Sequence, residues 1–164
     1  MKKYFILPAL LLASVWAGAQ EKELPRRGFT FSVGIGAKYV TDLQEADISP
    51  EVGFHYRLDA QNMFGLGLMY DAVSVKEDLF LSYTHDFLLK PASPYVEARL
   101  GMNRFLTSSI GGYAGVQGGY RFILGRKTPF RVGLSVDFYG VPSRYALDRR
   151  TKSISIGLVI RSEF

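Results

Sequence analysis

The chain ends with Thr-Lys-Ser-Ile-Ser-Ile-Gly-Leu-Val-Ile-Arg-Ser-Glu-Phe, residues 151–164. Five apolar side chains in this stretch share one set of alternate positions: Ile154, Ile156, Leu158, Ile160 and Phe164. The other set holds mainly small or charged side chains, among them Arg161 and Glu163. Because successive side chains of a β-strand point to opposite faces, the pattern predicts a strand with one apolar and one polar face. A run of this length reaches roughly 30 Å or more, which is enough to cross a bilayer as a tilted strand.

Seven more segments repeat this alternation upstream of the last one. They comprise residues 28–39, 48–58, 63–72, 79–88, 95–103, 113–124 and 129–139. Eight alternating segments with short connections predict an all-β fold, an antiparallel up-and-down barrel. The even number brings both chain ends to one end of the barrel, as is typical of bacterial outer-membrane barrels.

The connections are predicted to differ between the two ends of this barrel. Short turns are expected near the chain termini, at residues 59–62, 89–93 and 125–128. Longer connections are expected at the opposite end, at residues 40–47, 73–78, 104–112 and 140–150. This asymmetry is typical of membrane barrels with short periplasmic turns and longer external loops.

The N-terminus has the pattern of an exported protein. Lys2 and Lys3 precede the apolar run from Tyr4 to Trp16, and small residues follow at Ala17 to Ala19. A basic start, an apolar stretch and small residues before a cut are the features of a secretory signal. We therefore predict a signal peptide over residues 1–19, a short periplasmic tail over residues 20–27 and a barrel over residues 28–164 of this single-domain chain.

The composition excludes several kinds of chemistry. The chain contains no cysteine, so thiol catalysis and disulfide bonds are excluded. It contains only two histidines, which excludes a histidine-rich metal site. We therefore expect no metal and no other cofactor.

Alternation alone does not tell which face of the barrel points outward, because a soluble ligand-carrying barrel alternates with its apolar face inward. The aromatic residues of the apolar face form two rings, and such girdles mark the two interfaces of a membrane barrel. The ring near the termini comprises Phe29, Tyr56, Phe64, Phe87, Phe122, Phe130 and Phe164, and the other comprises Tyr39, Tyr70 and Phe138. Within the predicted spans His85 is the one ionisable residue on this face, and a cation at the midplane would cost about 2–4 kcal/mol. The apolar face is therefore predicted to contact lipid.

The polar face is predicted to fill the lumen with paired ions. It holds Lys38, Glu51, His55, Arg57, Asp71, Asp86, Glu97, Arg99, Arg121, Arg131, Asp137 and Arg161, together with Glu163. Its acidic and basic groups nearly balance, and arginine is favoured over lysine, as suits buried charges that must be paired. Glycines on the same face leave room for the long arginine side chains. Since an eight-stranded barrel is just wide enough to be filled by side chains, we expect no open channel, or at most a small water path through the glycine-lined parts.

The strand sequences resemble those of a known family. The pieces are residues 52–57, Val-Gly-Phe-His-Tyr-Arg, residues 64–70, Phe-Gly-Leu-Gly-Leu-Met-Tyr, and the ending Ser-Ile-Gly-Leu-Val-Ile-Arg-Ser-Glu-Phe. Over residues 28–164 the chain resembles the small eight-stranded outer-membrane β-barrel proteins, the group that includes OmpX-like and PorT-like members. The resemblance implies a transmembrane barrel in the outer membrane of a Gram-negative bacterium, in contact with its lipids. It also implies that Phe164 is the signal read by the barrel-assembly machinery. Members of this group serve varied roles, so no specific function carries over.

Two local patterns suggest catalysis or nucleotide binding at first inspection. His85 and Asp86 lie close to Ser82, but neighbouring strand residues point to opposite faces, so His85 cannot form a triad with the other two. Gly34-Ile35-Gly36 and Gly65-Leu66-Gly67 lie inside strands with no following helix, which excludes a phosphate loop. We therefore predict no catalytic residue.

Five basic residues cluster in two of the longer connections: Arg104, Arg144, Arg149, Arg150 and Lys152. One interpretation is ordinary solvated loop charge. The other is contact with lipopolysaccharide phosphates, which guanidinium groups bind well. Nucleic-acid binding is not expected, because these loops are predicted to lie outside the cell. The sequence leaves the oligomeric state open.

We expect a membrane-structural or surface-interaction role and no enzymatic activity. Three alternatives remain open from the sequence. The first is a narrow conduit or an accessory of a secretion or uptake system. The second is a lipid-A acyl hydrolase, and the third is a soluble lipocalin-like carrier.

Overall fold

A computed structural model describes residues 27–41, 44–104, 106, 110–124, 128–140 and 153–164. Eight strands account for nearly all of them: β1 (Gly28–Val40), β2 (Glu45–Arg57), β3 (Asn62–Asp71), β4 (Lys76–Asp86), β5 (Ser93–Asn103), β6 (Gly111–Leu124), β7 (Thr128–Tyr139) and β8 (Ser153–Glu163). Each strand pairs antiparallel with its neighbours in chain order, and β1 pairs with β8 to close the barrel. The predicted eight-stranded up-and-down barrel is confirmed. Within the described ranges no helix has the length and apolar character needed to cross a membrane.

The last strand closes the barrel along its full length. Leu158 pairs with Ala37 of β1 on one side and with Leu134 of β7 on the other. Phe164 and Phe31 exchange two backbone hydrogen bonds of 2.7 and 3.0 Å. The terminal residue is therefore part of the ladder, and its ring is exposed on the outer wall.

The two ends of the barrel differ in the chain termini and connections that they carry. The termini end carries the start of β1, the end of β8 and the connections 58–61, 87–92 and 125–127. The loop end carries the connections 41–44, 72–75, 104–110 and 140–152. Two of these loop-end connections are as short as the turn 58–61, so the predicted difference in length holds for the other two alone.

The predicted loops at residues 40–47 and 73–78 were too long. β1 continues to Val40, β2 begins at Glu45 and β4 begins at Lys76. Both segments look like loops because they are polar, yet Asp47 and Asp78 continue the alternation and are buried inside the barrel. Polar residues at inward positions extend strands in this fold, because the lumen is polar.

The burial of the strands is the reverse of that in a soluble barrel. Along β7, Leu134 is 64% exposed on the outer wall, whereas the adjacent Ser135 is 1% exposed in the lumen. At the outward positions of the eight strands, two ionisable acidic or basic residues are present among the described side chains, Glu77 near the loop end of β4 and His85 near its termini end. The outer wall is therefore an apolar belt and the lumen is the polar core.

Candidate functional site

The lumen holds the largest group of polar side chains that the structure describes. All twelve predicted lumen residues are buried. Four further charged residues join them: Asp47, Lys76, Asp78 and Glu163. Among the described residues the buried set has seven basic and eight acidic side chains. These side chains form three clusters along the barrel axis.

The termini-end cluster consists of Arg57, Asp86, Arg121, Arg131 and Glu163. Asp86 accepts hydrogen bonds from all three arginines, at 2.7 Å from Arg121 Nη1, 2.7 Å from Arg131 Nη1 and 3.5 Å from Arg57 Nη1. Glu163 accepts from Arg57 Nη2 at 2.8 Å and from Arg131 Nε at 2.5 Å. Three cations share two carboxylates, so every acidic group in this cluster has at least two basic partners.

The termini-end cluster is also tied to the turns beneath it. Arg121 Nη2 donates a 2.7 Å hydrogen bond to the carbonyl oxygen of Lys90 in the 87–92 connection. The Arg131 guanidinium lies 4.8 Å from the ring centroid of Tyr95, within cation–π distance. These contacts hold Arg121 and Arg131 in place at the termini end.

The central cluster consists of Glu51, Glu97, Arg99, Gln117 and Arg161. Arg99 donates from Nε to Glu97 at 2.6 Å, from Nη1 to Glu51 at 3.0 Å and from Nη2 to Gln117 at 2.7 Å. Arg161 donates to both oxygens of Glu97, at 3.1 Å from Nη1 and with a shorter contact from Nη2. Two cations balance two anions, and the four side chains cross the middle of the lumen.

The loop-end cluster consists of Lys38, Asp71, Lys76, Asp78 and Asp137. Lys38 Nζ lies 2.9 Å from Asp137 and 3.7 Å from Asp71, and Lys76 Nζ lies 3.5 Å from Asp71. Asp78 is fully buried, and neither of its carboxylate oxygens has a hydrogen-bond partner among the residues that the structure describes. Three anions here face two cations.

Two tyrosines complete the loop-end cluster. Tyr113 donates a 2.7 Å hydrogen bond to Asp137, and Tyr139 donates a 3.3 Å hydrogen bond to Asp71. Lys76 Nζ lies 3.6 Å from the centroid of the Tyr139 ring. Tyrosine hydroxyl groups thus donate hydrogen bonds to the carboxylates at this end, as guanidinium groups do at the termini end.

His55 occupies space left by two glycines. Its Nε2 lies 2.7 Å from Ser32 Oγ. A Cβ atom added at Gly53 or Gly65 would collide with the imidazole ring. The lumen glycines therefore make room for a large polar side chain, here a histidine.

The sequence analysis missed Asp47, Lys76 and Asp78 as lumen residues because it assigned them to loops. The signal was present, since Asp47 shares its parity with Glu51 and Asp78 shares its parity with Asp86. Asp47 accepts hydrogen bonds from the backbone N–H groups of residues 73 and 74 at 2.9 and 3.0 Å. It therefore holds the tight connection between β3 and β4.

The candidate hydrolase group is not assembled. Ser82 and Asp86 are buried in the lumen, whereas His85 lies on the outer wall with its Nδ1 2.9 Å from Asn62 Oδ1. In the part of the chain that the structure describes, no three His, Cys, Asp or Glu side chains are grouped closely enough to hold a metal ion.

The other predicted site residues have different outcomes. Arg104 follows β5 at the loop end and is partly exposed, with a backbone φ of 53°. Arg144, Arg149, Arg150 and Lys152 lie outside the described residues, as do residues 1–26, which include the predicted signal peptide. Nothing in the fold tests the role of Phe164 in assembly, which stays a prediction.

Comparisons with known proteins support the fold. Fourteen chains among the solved structures match. Neisserial surface protein A (NspA) is 18% identical with a TM-score of 0.63, covering 83% of this chain and 97% of its own. The outer membrane enzyme PagL is 16% identical with a TM-score of 0.54, covering 79% of this chain and 97% of its own.

A third similar structure is the N-terminal β-barrel domain of Pseudomonas aeruginosa OprF. It is 16% identical with a TM-score of 0.52 and covers 82% of this chain and 97% of its own. No family model and no curated protein sequence matches. The narrower affiliation with OmpX-like or PorT-like proteins therefore stays a prediction. What the comparisons establish is that this chain has the fold of small eight-stranded outer-membrane barrels.

Proposed function

We propose that this chain is an integral barrel of a bacterial outer membrane, with a membrane-structural or surface-interaction role and a lumen closed by ion pairs. The observation that carries this proposal is the inverted distribution of polarity. The lumen buries fifteen charged side chains among the described residues, while the outer wall exposes rows of Phe, Leu, Ile and Val. An apolar belt of this extent suits hydrocarbon, because monomeric soluble proteins rarely expose contiguous apolar patches above a few hundred Å².

A soluble carrier would require the opposite distribution of polar and apolar side chains. A carrier for apolar ligands needs an apolar lumen and a hydrated outer wall. In this barrel the lumen between Glu51, Glu97, Arg99 and Arg161 is crossed by direct hydrogen bonds. The polarity of both faces therefore favours the membrane over the periplasm.

The same central cluster favours a closed lumen over a conduit. Opening a path would require separating Arg99 and Arg161 from Glu97, which leaves buried charges without partners, at about 3–5 kcal/mol for each pair broken. We therefore expect liposomes containing the protein to swell no faster in small sugars than protein-free liposomes. Swelling comparable to that of a large porin would contradict the closed lumen and favour the conduit alternative.

We propose that the protein is not an enzyme. The geometry supporting this is the separation of His85 from Ser82 and Asp86 by the barrel wall. PagL, which shares the fold, is an enzyme, so the fold itself is compatible with catalysis. The test is incubation with lipid A. Acyl release faster than that measured with a barrel protein known to lack hydrolase activity would contradict the proposal.

The orientation of the wall is the sharpest test of membrane residence. The chain has no cysteine, so single cysteines can be introduced and spin-labelled without background. Labels at Leu66, Leu134 and Leu158, all exposed on the outer wall, should be accessible to oxygen and protected from a water-soluble nickel chelate in reconstituted bilayers. Ser135, adjacent to Leu134 but buried, is the matched control and should be protected from both.

Labels at the outer positions that report water would overturn the proposal. The same result at Leu134 and Ser135 would also overturn it, because the two faces would then not differ. Heat-dependent mobility of the detergent-solubilised protein on a gel would provide an independent check that the barrel is folded.

The five basic residues of the longer connections are proposed to contact lipopolysaccharide phosphates. Arg104 is the member that the structure describes, at the rim of the loop end. Neutralising all five should lower barrel stability in bilayers that contain lipopolysaccharide and leave it unchanged in plain phospholipid. An equal loss in both bilayers would assign these charges a role within the protein instead.

A further inference from the structure

The outer wall is not uniformly filled at the loop end. A groove of about 630 Å³ lies there across β5, β6, β7 and β8. A row of paired residues crosses it in register, from Leu100 to Ala114 to Phe138 to Ile154. Ala114 is the smallest member of this row, so the wall is lowest along β6.

The groove has large walls and a floor of small residues. Leu100, Phe138 and Ile154 rise on its sides and are 68%, 46% and 37% exposed. Gly112 and Ala114 of β6 line the floor, and all five residues border the groove. A low floor between tall apolar neighbours is a slot on the lipid-facing wall.

Gly112 is the residue that leaves the slot open. A Cβ atom placed there would meet no atom within 4 Å. By contrast, a Cβ at Gly101 of the neighbouring strand, at an inward position of β5, would collide with backbone atoms of β4. Glycine at position 101 is thus required by close strand packing, whereas glycine at position 112 leaves space that no described residue fills.

We propose that this groove holds one acyl chain of a lipopolysaccharide molecule. The inference rests on the proposed outer-membrane location, which makes the loop end the external side. The groove volume lies within the roughly 300–1,000 Å³ typical of small-ligand sites. Its lining consists of apolar side chains, glycines and the two tyrosines Tyr113 and Tyr139, which are themselves buried. A straight hydrocarbon chain is the ligand that matches such a slot.

The position of the groove on the barrel favours lipopolysaccharide as the lipid that it binds. Below it the wall continues as the apolar belt, through Val116 of β6 and Leu134 of β7, both more than half exposed. Beyond it, β5 ends at Asn103, which pairs with Gly111, and Arg104 follows on the rim. An acyl chain in the groove therefore extends into the bilayer, and its phosphorylated headgroup lies at the level of a basic rim.

Filling the slot is the direct test. Gly112→Leu adds four carbons in open space and improves the strand propensity of an exposed position, so the variant should fold. Val116→Phe is the matched control, because it also adds four carbons to the outward face of β6 but lies outside the groove. Ala114→Leu fills the same floor and serves as the second groove variant.

Each protein is reconstituted with lipopolysaccharide, extracted into detergent and examined by native mass spectrometry. Wild type and Val116→Phe should retain one lipopolysaccharide molecule. Gly112→Leu and Ala114→Leu should retain at least about tenfold less, because displacing two or more methylene groups from apolar contact costs this much affinity.

Three outcomes would overturn the inference. Equal retention by the wild type and both groove variants would show that the groove does not bind the lipid. Retention of phospholipid in preference to lipopolysaccharide would show that another lipid occupies it. A wild-type dimer lost in both groove variants would show that a second copy of the chain covers it. Failure of the spin labels to report lipid at Leu66 and Leu158 would instead overturn the outer-membrane proposal itself, so the two failures are distinguishable.

Discussion

The two ends of the lumen stabilise their buried carboxylates with different side chains. At the termini end, Asp86 and Glu163 are held by three arginines through charge-assisted hydrogen bonds. At the loop end, Asp71 and Asp137 are held by lysines and tyrosines. Asp78, also at the loop end, has no hydrogen-bond partner for either oxygen within the described part of the chain.

The difference indicates where the barrel interior is rigid. A guanidinium group presents several donors in a fixed plane and can bridge two carboxylates, whereas an ammonium group is a point charge on a flexible stem. The termini end therefore behaves as one network, in which removing Asp86 takes an acidic partner from all three arginines. The loop end is a looser set, in which one acidic group, Asp78, accepts no hydrogen bond from the described residues.

The largest effect is expected when the arginine network loses its shared acceptor. Asp86→Asn removes the charge that Arg57, Arg121 and Arg131 have in common. We expect a loss of about 3–5 kcal/mol in the free energy of unfolding, as for buried pairs that lose one partner. Urea unfolding in phospholipid vesicles, followed by gel mobility, measures it.

Asp78→Asn is the matched variant at the loop end. It removes a buried acidic group that accepts no hydrogen bond from any described residue, so the free energy of unfolding should stay within about 1 kcal/mol of wild type or rise. The comparison between the two ends would be wrong if Asp78→Asn cost as much as Asp86→Asn.

The contrast between these two residues also shows how far sequence reasoning reaches. The two-residue period predicts that Asp86 points into the lumen, because β4 alternates without interruption around it. It does not predict which arginines meet Asp86, since Arg57, Arg121 and Arg131 lie on three other strands. Those contacts depend on the register and stagger of the closed barrel, which alternation along single strands does not specify.

The next effect distinguishes the two ends through their tyrosines. Tyr113→Phe at the loop end removes a hydrogen bond to the charged Asp137, which should cost about 1.5–3 kcal/mol. Tyr95→Phe at the termini end removes a contact between its hydroxyl and the neutral Gln117 amide and should cost about 0.5–1.5 kcal/mol. Both keep their ring, so packing is conserved. The same urea titration measures both losses. If they are equal, the loop end depends on its tyrosine hydroxyl no more than the termini end does.

A smaller effect tests the space around His55, which lies nearer the central cluster. Gly65→Ala places a methyl group against the imidazole and should destabilise the barrel by about 1–3 kcal/mol through overpacking. In a His55→Ala background the same substitution should cost clearly less, because the ring is gone and the remaining close neighbour is the rotatable Ser82 hydroxyl. Additive losses in this double-mutant cycle would show that the glycine serves the backbone and not the histidine.

Gly65 marks a second limit of sequence reasoning. Its inward position follows from the alternation of β3, and the sequence analysis assigned such glycines to arginine packing. The structure places His55 over Gly65 because the two residues pair directly across β2 and β3. A cross-strand partner is a tertiary property, so the presence of space was predictable and the side chain that fills it was not.

The smallest effect lies in a turn at the termini end, outside the lumen. Hydrogen bonds from the Asn62 side chain, and then from the backbone N–H groups of Gln61 and Asn62, hold the pKa of Asp59 below its ordinary value. A lowered pKa in the folded state means that this contribution to stability is complete above the unfolded pKa and is lost as the pH falls through the folded one. Asp59→Ala should therefore shift the urea midpoint slightly at neutral pH and not at all in strong acid.

Comparing Asp59 in this turn with Asp86 in the lumen distinguishes the effect of an exposed, local charge from that of a buried, shared one. Asp59 is solvent-exposed, so its interactions are screened and its variant should have the weakest effect of the set. Asp86 binds groups from three strands, whereas Asp59 binds only residues two and three positions away. A large effect of Asp59→Ala that persists in strong acid would mean that the turn fixes the register of β2 and β3. The carboxylate charge would then not be the cause.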